Sequence, residues 1–290
     1  MEEVWKARRE RVLGAMEAQG LEQMIVSDPK SVWYLTGVDV EPFERLFALY
    51  LRKEGSVLFL NRLFHVPNPP CEAVWMTDTV GMIAARVDKT KPLGIDKEWP
   101  ARFLLPLMAA CPGMECRLAS DCVDDARARK DEAERELMRM NSRLNDEVMR
   151  RTVAFLKEGM TEKEGEAFVL AQYKELGCED VSFAPIVSFG ANAADPHHMP
   201  DDPRLKAGDC IVIDIGGRKQ RYCSDMTRTY FCKQADPKYA AIHDLVRRAN
   251  EAAEALVKPG VKLSELDAAA RNLIAAEGYS EYFTHRLGHF

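Results

Sequence analysis

Two aspartates in the second half of the chain have the residue type and the spacing that metal chemistry requires. Asp214 interrupts an apolar run, residues 211–215, that predicts a buried strand, and Asp225 follows eleven residues later in a second strand-like run. A polar turn at residues 217–220 would join two antiparallel strands and bring both carboxylates together. Because desolvation and mutual repulsion both disfavour paired carboxylates, such a pair needs a compensating cation.

Three explanations of these carboxylates compete. Asp214 on its own is best explained as a cap of the turn before Gly216 and Gly217. For the pair, Arg228 could supply the positive charge, which would make the cluster purely structural. The functional alternative is a divalent metal ion, because carboxylate oxygens are suitable ligands for such ions.

The distribution of the histidines favours the metal. Five of the six histidines lie in the second half of the chain, and four of them form two clusters, His197 with His198 and His285 with His289. Each cluster alone fits a loop or a chain end, but the two together with the aspartates fit a metal site better. The remaining one, His243, falls in a predicted helix over residues 237–257, and we expect it at a surface or an interface.

The elements that must position these residues contain a weak internal repeat. Residues 159–177 and residues 260–278 both begin with a glycine, continue with a helix-capping pattern at Thr161 or Ser264, and end with a glycine. The two segments are offset by 101 residues, and each is followed by a strand-like segment and then histidines. We interpret the repeat as two similar α/β halves that face each other across a shared cleft.

Upstream of the repeat, alternating helix and strand patterns predict a small α/β domain. The length of 290 residues favours two domains, which we place at residues 1–124 and 125–290. The first has no catalytic cluster, and its lone His65, beside several prolines, is expected in a loop. Between Asp124 and Lys157 the chain is strongly charged, with apolar residues three and four apart, which predicts one long amphipathic helix that opens the second domain.

The composition excludes several functional classes. A formal net charge of -6 argues against a partner that is a nucleic acid or a membrane surface, since either would need a basic patch. The N-terminus has no apolar signal core, and no apolar stretch reaches the length of a membrane span. The eight cysteines include no Cys-x-x-Cys pair. We therefore expect reduced thiols and a cytoplasmic location.

Several segments together resemble the metallopeptidase family that includes Xaa-Pro dipeptidase (prolidase), Xaa-Pro aminopeptidase and methionine aminopeptidase. The most specific matches are Gly190-Ala-Asn-Ala-Ala-Asp-Pro-His197, Asp214-Ile-Gly216, Ser224-Asp-Met-Thr-Arg-Thr229 and His285-Arg-Leu-Gly-His289. Trp33-Tyr-Leu-Thr-Gly37 is similar to the creatinase-type N-terminal domain of this family. The resemblance implies an α+β fold, with a creatinase-like first domain and a pita-bread second domain. It points to the prolidase or aminopeptidase P branch, because minimal methionine aminopeptidases lack the first domain.

The resemblance also implies the roles of the site residues. Family members hold two divalent ions with two aspartates, one histidine and two glutamates, and by motif Asp214, Asp225 and His289 are three of these ligands. Such a ligand set suits manganese or cobalt at least as well as zinc. His197 matches the histidine that contacts the substrate and stabilises the tetrahedral intermediate, and the adjacent His198 competes for that role. His285 matches a second pocket histidine, which completes the set of implied site residues: His197, His198, Asp214, Asp225, His285 and His289.

The chain departs from the family pattern after His289. The family continues there with glycine and an apolar run, whereas this chain reads Phe290, and the two metal-binding glutamates would lie beyond that position. We therefore expect an incomplete pita-bread domain from a truncated or frameshifted gene, with at most one weakly bound ion and no appreciable peptidase activity. A smaller departure is Arg221, where the family usually has glycine before Tyr222.

The function implied by the resemblance is metal-dependent hydrolysis of Xaa-Pro peptides by a homodimer. Its expected partner is a small peptide with proline after the scissile bond, and no nucleic acid or membrane. Two alternatives remain: a creatinase-like hydrolase of small amides or amidines on the same fold, and a pita-bread module that binds without catalysis. Retention of both aspartates and His289 argues against the binding module, because binding alone does not require all three residues.

Overall fold

The chain divides into two units, Met1–Lys130 and Asp131–Phe290, and the computed structural model describes residues 2–76 and 80–288 of them. Both units combine helices with β-sheets, so the predicted α+β class is confirmed. Within the described residues, no helix combines the length and the apolar character needed to cross a membrane.

The first unit is built on a six-stranded mixed sheet. The elements in chain order are α1 Glu2–Ala18, β1 Gln23–Val26, α2 Pro29–Thr36, β2 Ala48–Arg52, β3 Gly55–Asn61, β4 Glu72–Met76, α3 Gly81–Ala84, β5 Leu93–Ile95, α4 Ala101–Ala110, β6 Cys116–Leu118 and α5 Ser120–Ala128. The strand order in the sheet is β4-β3-β2-β1-β5-β6, and β1 is buried along its whole length between antiparallel β2 and parallel β5. Apolar clusters cover both faces of the sheet. The predicted hairpin is confirmed as β2 and β3, and His65 lies in a loop as expected.

The glycine that ends the motif Trp33–Gly37 packs closely against another side chain. Gly37 ends α2 in the left-handed conformation, with a φ of 72°, and donates its N–H to the carbonyl of Trp33. A Cβ at this position would lie 2.0 Å from the ring of Trp5 in α1. Glycine is therefore required here both by backbone conformation and by packing.

As far as the structure describes the second unit, it contains two small antiparallel sheets and four α-helices. The elements are α6 Glu132–Phe155, α7 Glu162–Glu175, β7 Asp180–Val181, β8 Ile186–Phe189, β9 Cys210–Ile215, β10 Gly217–Lys219, β11 Tyr222–Cys223, β12 Met226–Phe231, α8 Pro237–Glu254 and α9 Leu263–Ala276. One sheet has the strand order β12-β9-β8 and the other the order β11-β10-β7. Apolar residues of α6 and α7 pack against β8 and β9 in one core, and α8 and α9 form a second, smaller core with each other.

The prediction of one long helix from Asp124 to Lys157 is wrong. The described chain forms α5 and α6, which are separated by a short break before Asp131. Asp131 and Glu134 form a reciprocal capping box: the N–H of Glu134 donates to Asp131 at 2.9 Å, and the N–H of Asp131 donates to Glu134 at 2.8 Å. This cap satisfies backbone donors that a continuous helix would bond internally, so a new helix starts there.

The internal repeat is only partly confirmed. The capping box at Thr161 is present, but α9 begins after Lys262 and has no side-chain cap, so Ser264 lies inside the helix. Asp267, three residues after Ser264, pairs with Arg271 at 2.8 Å, one turn later in the helix. After Gly278 the described residues form a 3-10 turn, Ser280–Tyr282, and not the predicted strand.

Candidate metal centre

The pairing of β9 with β12 brings the two predicted aspartate ligands to the same end of these two strands. Asp214 lies directly opposite Thr227, and the two side chains project to the same side of the sheet because opposed residues of paired strands share a face. Asp225 lies directly before Met226, the first residue of β12, which is paired with Ile215. Asp214 is half-buried and Asp225 is exposed, so this end of the strands is open to solvent.

The opposite face of β9 is part of the hydrophobic core. Ile211, Ile213 and Ile215 are all buried, and they alternate with the half-buried Val212 and Asp214. They pack with apolar residues of α6 and α7. The strand is therefore held in place by one face while it presents Asp214 on the other.

The register does not favour Arg228 as the cation that compensates the aspartates. Arg228 lies opposite Ile213, so its side chain leaves β12 on the face away from Asp214. Its guanidinium donates to the carbonyl oxygen of Thr227 at 2.8 Å. A structural role for Arg228 in balancing this pair is less consistent with the geometry than a bound cation.

The link between the two strands is more elaborate than the predicted turn. Gly217–Lys219 is itself a strand, and the chain reverses at Gln220 and Arg221, which have φ values of 49° and 68°. Two successive residues with positive φ are typical of the tightest hairpins, and glycine adopts such a conformation at the lowest cost. The glycine that the family usually has at the position of Arg221 is explained by this left-handed backbone.

Two glycines between Asp214 and Asp225 allow the chain to pack closely against its neighbours. A Cβ on Gly216 would lie 2.1 Å from the backbone oxygen of Ser224, and one on Gly217 would lie 2.5 Å from the ring of Tyr173. The hydroxyl of Ser182 lies within hydrogen-bonding distance of the carbonyl oxygens of Gly217 and Ser224, at 3.0 and 2.9 Å. These contacts fix the position of the backbone at Ser224, the residue directly before Asp225.

A buried phenol lies beneath the same pair. Tyr173 of α7 donates to the side chain of Asn145, which in turn donates to the carbonyl of Ile215 at 3.0 Å. Burial raises the pKa of Tyr173, and the negative charges of Cys178, Asp214 and Asp225 raise it further. The phenol is therefore a neutral, buried contact of the chain segment that links the two aspartates.

The donor set of the described residues fits part of a metal site. The carboxylates of Asp214 and Asp225, at the same end of the paired strands β9 and β12, are suitable oxygen ligands for a divalent ion such as Mn²⁺. The third predicted ligand, His289, lies outside the described residues. Among residues 2–76 and 80–288 no group of three or more His, Cys, Asp or Glu side chains is placed to hold an ion, so neither His197 nor His285 joins the two aspartates.

The two adjacent histidines occupy different environments. His197 is exposed, and its backbone N–H donates to Asp195 at 3.0 Å. The ring of His198 is mostly buried, and its Nε2 lies 2.8 Å from a carboxylate oxygen of Glu162. The imidazole of His198 is thus engaged inside the protein, whereas that of His197 is available to a ligand.

Glu162 is a residue that the sequence did not single out. It is the first residue of α7, and its side chain has no exposed surface. An acidic residue directly after a helix cap is common in any helix because of the helix dipole, so its position carried no specific signal. Its importance follows only from its contacts, which are described below.

His285 lies in the segment that follows α9. It is exposed, and its Nδ1 lies 2.5 Å from the carbonyl oxygen of Arg286. Arg271 of α9 holds this segment through the carbonyl oxygens of Phe283, at 2.8 Å, and of His285, at 3.2 Å. Asp267 accepts the N–H of Leu287 at 2.9 Å, so the segment is fastened to the helix at two points.

Comparisons with known proteins identify the families that the two parts of the chain match. Residues 8–129 match the creatinase/prolidase N-terminal domain, and residues 136–290 match metallopeptidase family M24. An uncharacterized peptidase of Staphylococcus aureus is 32% identical over an alignment of 291 positions, gaps included. The alignment covers 96% of this chain and 81% of the relative.

Solved structures show the same architecture. The dipeptidase PepE from Mycobacterium ulcerans has a TM-score of 0.93 and 32% identity, over 99% of this chain and 81% of its own. The prolidase from Pyrococcus horikoshii has a TM-score of 0.88 and 27% identity, over 98% of this chain and 81% of its own. These matches confirm the predicted fold, a creatinase-like domain followed by a pita-bread domain.

Proposed function

The chain belongs to metallopeptidase family M24, and from this premise we propose that its site serves the metal-dependent hydrolysis of peptides with proline after the scissile bond. The observation that supports the proposal is the pairing of β9 with β12, in which Asp214 lies opposite Thr227 and the exposed Asp225 precedes Thr227 by two residues. The similarity to the prolidase from Pyrococcus horikoshii supports proline as the residue after the scissile bond.

Asp214, Asp225 and His289 are the residues of this chain that would hold divalent metal, with two ions in the complete site and Mn²⁺ favoured over Co²⁺ or Zn²⁺. Bound divalent metal supplies a water of lowered pKa as nucleophile and polarises the scissile carbonyl. The half-buried position of Asp214 strengthens its attraction for a cation relative to an exposed carboxylate.

The histidines supply groups that contact the peptide. His197 is exposed and donates to the oxygen on which negative charge develops, because an imidazole N–H is a suitable oxyanion donor. His285 is the second histidine that we propose to contact the peptide, as the family resemblance implies. We propose a homodimer that acts on small peptides in the cytoplasm, and the eight free cysteines are consistent with that compartment.

Calorimetric titration with Mn²⁺ tests the metal site. We expect Asp214→Asn and Asp225→Asn each to abolish Mn²⁺ binding, because each removes a charged ligand from the same ion. The matched control is Asp180→Asn, an exposed aspartate of β7 that pairs with Arg218 at 3.2 Å in the other sheet of the same unit. Mn²⁺ affinity that is equal in all three variants and in the wild type would overturn the proposal.

Titration and hydrolysis with dipeptides test the substrate class. In the presence of Mn²⁺ the chain should bind Ala-Pro more tightly than Ala-Ala, and any hydrolysis should require Asp214. Equal affinity for both dipeptides would contradict the preference for proline, and turnover of a small amide instead of peptides would favour the creatinase-like alternative.

A further inference from the structure

A single buried carboxylate organises the loop that contains His197. Glu162 accepts the backbone N–H of Phe189 at 2.7 Å and that of Asp201 at 2.9 Å, at the two ends of this loop. Between these ends, the side-chain amide of Asn192 lies 3.1 and 3.2 Å from its two oxygens, and the ring of His198 lies at 2.8 Å. Four residues of the loop therefore converge on one side chain, and we call residues 189–201 the His197 loop.

The contacts of Glu162 determine which ring nitrogen of His198 carries the proton. Two backbone N–H groups and one amide N–H group already point at Glu162, so the carboxylate acts as an acceptor. The Nε2 of His198 must then carry the proton that it donates. This contact satisfies the ring and the carboxylate together, which matters because Glu162 has no exposed surface and a buried carboxylate needs donors.

The consequence for the neighbouring histidine is geometric. His198 points inward to Glu162 while His197, the preceding residue, stays exposed. With the loop held at both ends and in the middle, the direction of His197 follows from the anchoring of His198. We infer that Glu162 and His198 are positioning residues that aim His197 at the peptide, an inference that rests on the proposed function for the role of His197 alone.

Conservative and disruptive variants of His198 distinguish positioning from direct contact. His198→Gln keeps an N–H that can reach Glu162, whereas His198→Ala removes it, and His197→Ala removes the exposed ring without touching the anchor. We expect His198→Ala to weaken Ala-Pro binding roughly 10- to 100-fold, as for the loss of a hydrogen bond to a charged group, and His198→Gln to restore most of that affinity. If His198→Gln is as impaired as His197→Ala, His198 itself contacts the peptide and the inference is overturned.

A readout without metal or peptide keeps the test independent of the proposed function. The chain has six histidines, so selective ¹⁵N labelling of their rings gives a spectrum of six imidazoles. His198→Ala should shift the His197 ring signals and speed hydrogen exchange of the Phe189 and Asp201 amides, and His198→Gln should do neither. Unchanged His197 signals and exchange in His198→Ala would refute the inference. The expected loop effects in a protein that binds neither Mn²⁺ nor Ala-Pro would instead refute the proposed function alone.

Discussion

Replacement of Gly216 by alanine should separate the two strands that carry the candidate metal ligands. The added Cβ would lie 2.1 Å from the backbone oxygen of Ser224, and 3.0 Å from both the ring of Phe183 and the hydroxyl of Ser182. A relaxed carbon–oxygen contact needs about 3.3 Å, so the two chain segments must move apart by about 1.2 Å. Because the obstacle is backbone and not the end of a flexible side chain, rotation cannot relieve it.

The free-energy cost of this separation can be estimated from the hydrogen bonds that it weakens. The N–H of Ser224 donates to the carbonyl of Gly217 at 2.9 Å, and the N–H of Gly217 donates to the hydroxyl of Ser224 at 3.0 Å. Overpacking alone costs about 1–3 kcal/mol, and each weakened hydrogen bond adds up to about 1 kcal/mol. We therefore expect Gly216→Ala to lower the local stability by about 3 kcal/mol, or roughly 100-fold in the population of the opened state. Mn²⁺ affinity should fall as well, since Asp225 directly follows Ser224.

The assay must report on the second unit. All four tryptophans lie in the first unit, so their fluorescence does not follow β9 and β12: Trp5, Trp33, Trp75 and Trp99. Hydrogen exchange of peptides that span these two strands gives the local stability directly. Gly14→Ala is the control, because a Cβ there meets nothing within 4 Å and alanine in the helix α1 should stabilise by about 0.5–1 kcal/mol. If the local free energy of opening in Gly216→Ala lies within about 0.5 kcal/mol of the wild-type value, the strands tolerate the methyl group and the reasoning is wrong.

Two further predictions concern α6. Asp131→Ala should lower the free energy of unfolding by about 1 kcal/mol, measured by urea denaturation with far-UV circular dichroism, because it removes the side chain that caps the helix. Asp146→Ala, an exposed change within the same helix, is the control, and equal effects of the two changes would contradict the capping role. The carboxylate of Glu147 accepts hydrogen bonds from Arg150 and Arg151. These hydrogen bonds, that from Arg150 more strongly, lower the pKa of Glu147 from 4.5 to about 2. A lowered pKa in the folded state means that this contribution is present above about pH 4.5 and is lost as the pH falls towards 2. Glu147→Gln should therefore make the unfolding free energy less dependent on pH in that interval, and identical pH profiles would exclude the effect.

Local signals in the sequence were sufficient for the individual elements. The hairpin of β2 and β3, the strand that contains Asp214 and the capping box at Thr161 were all predicted, because alternation and capping involve residues within a few positions of each other. The antiparallel pairing of β9 and β12 was predicted from the same kind of signal. Where two local signals compete, prediction failed: the charged, helix-favouring sequence continues from α5 into α6, and it concealed the cap at Asp131.

Only the tertiary structure decided which side chains share an environment. The face on which Arg228 leaves its strand depends on the exact register with β9, since a shift of one residue would turn it towards Asp214. Glu162 became recognisable through partners 27, 36 and 39 residues away, Phe189, His198 and Asp201. The burial of a carboxylate depends on where distant segments pack, and no pattern around Glu162 itself encodes it. For this reason the sequence alone determined which residues could act, and the fold distinguished the engaged His198 from the exposed His197.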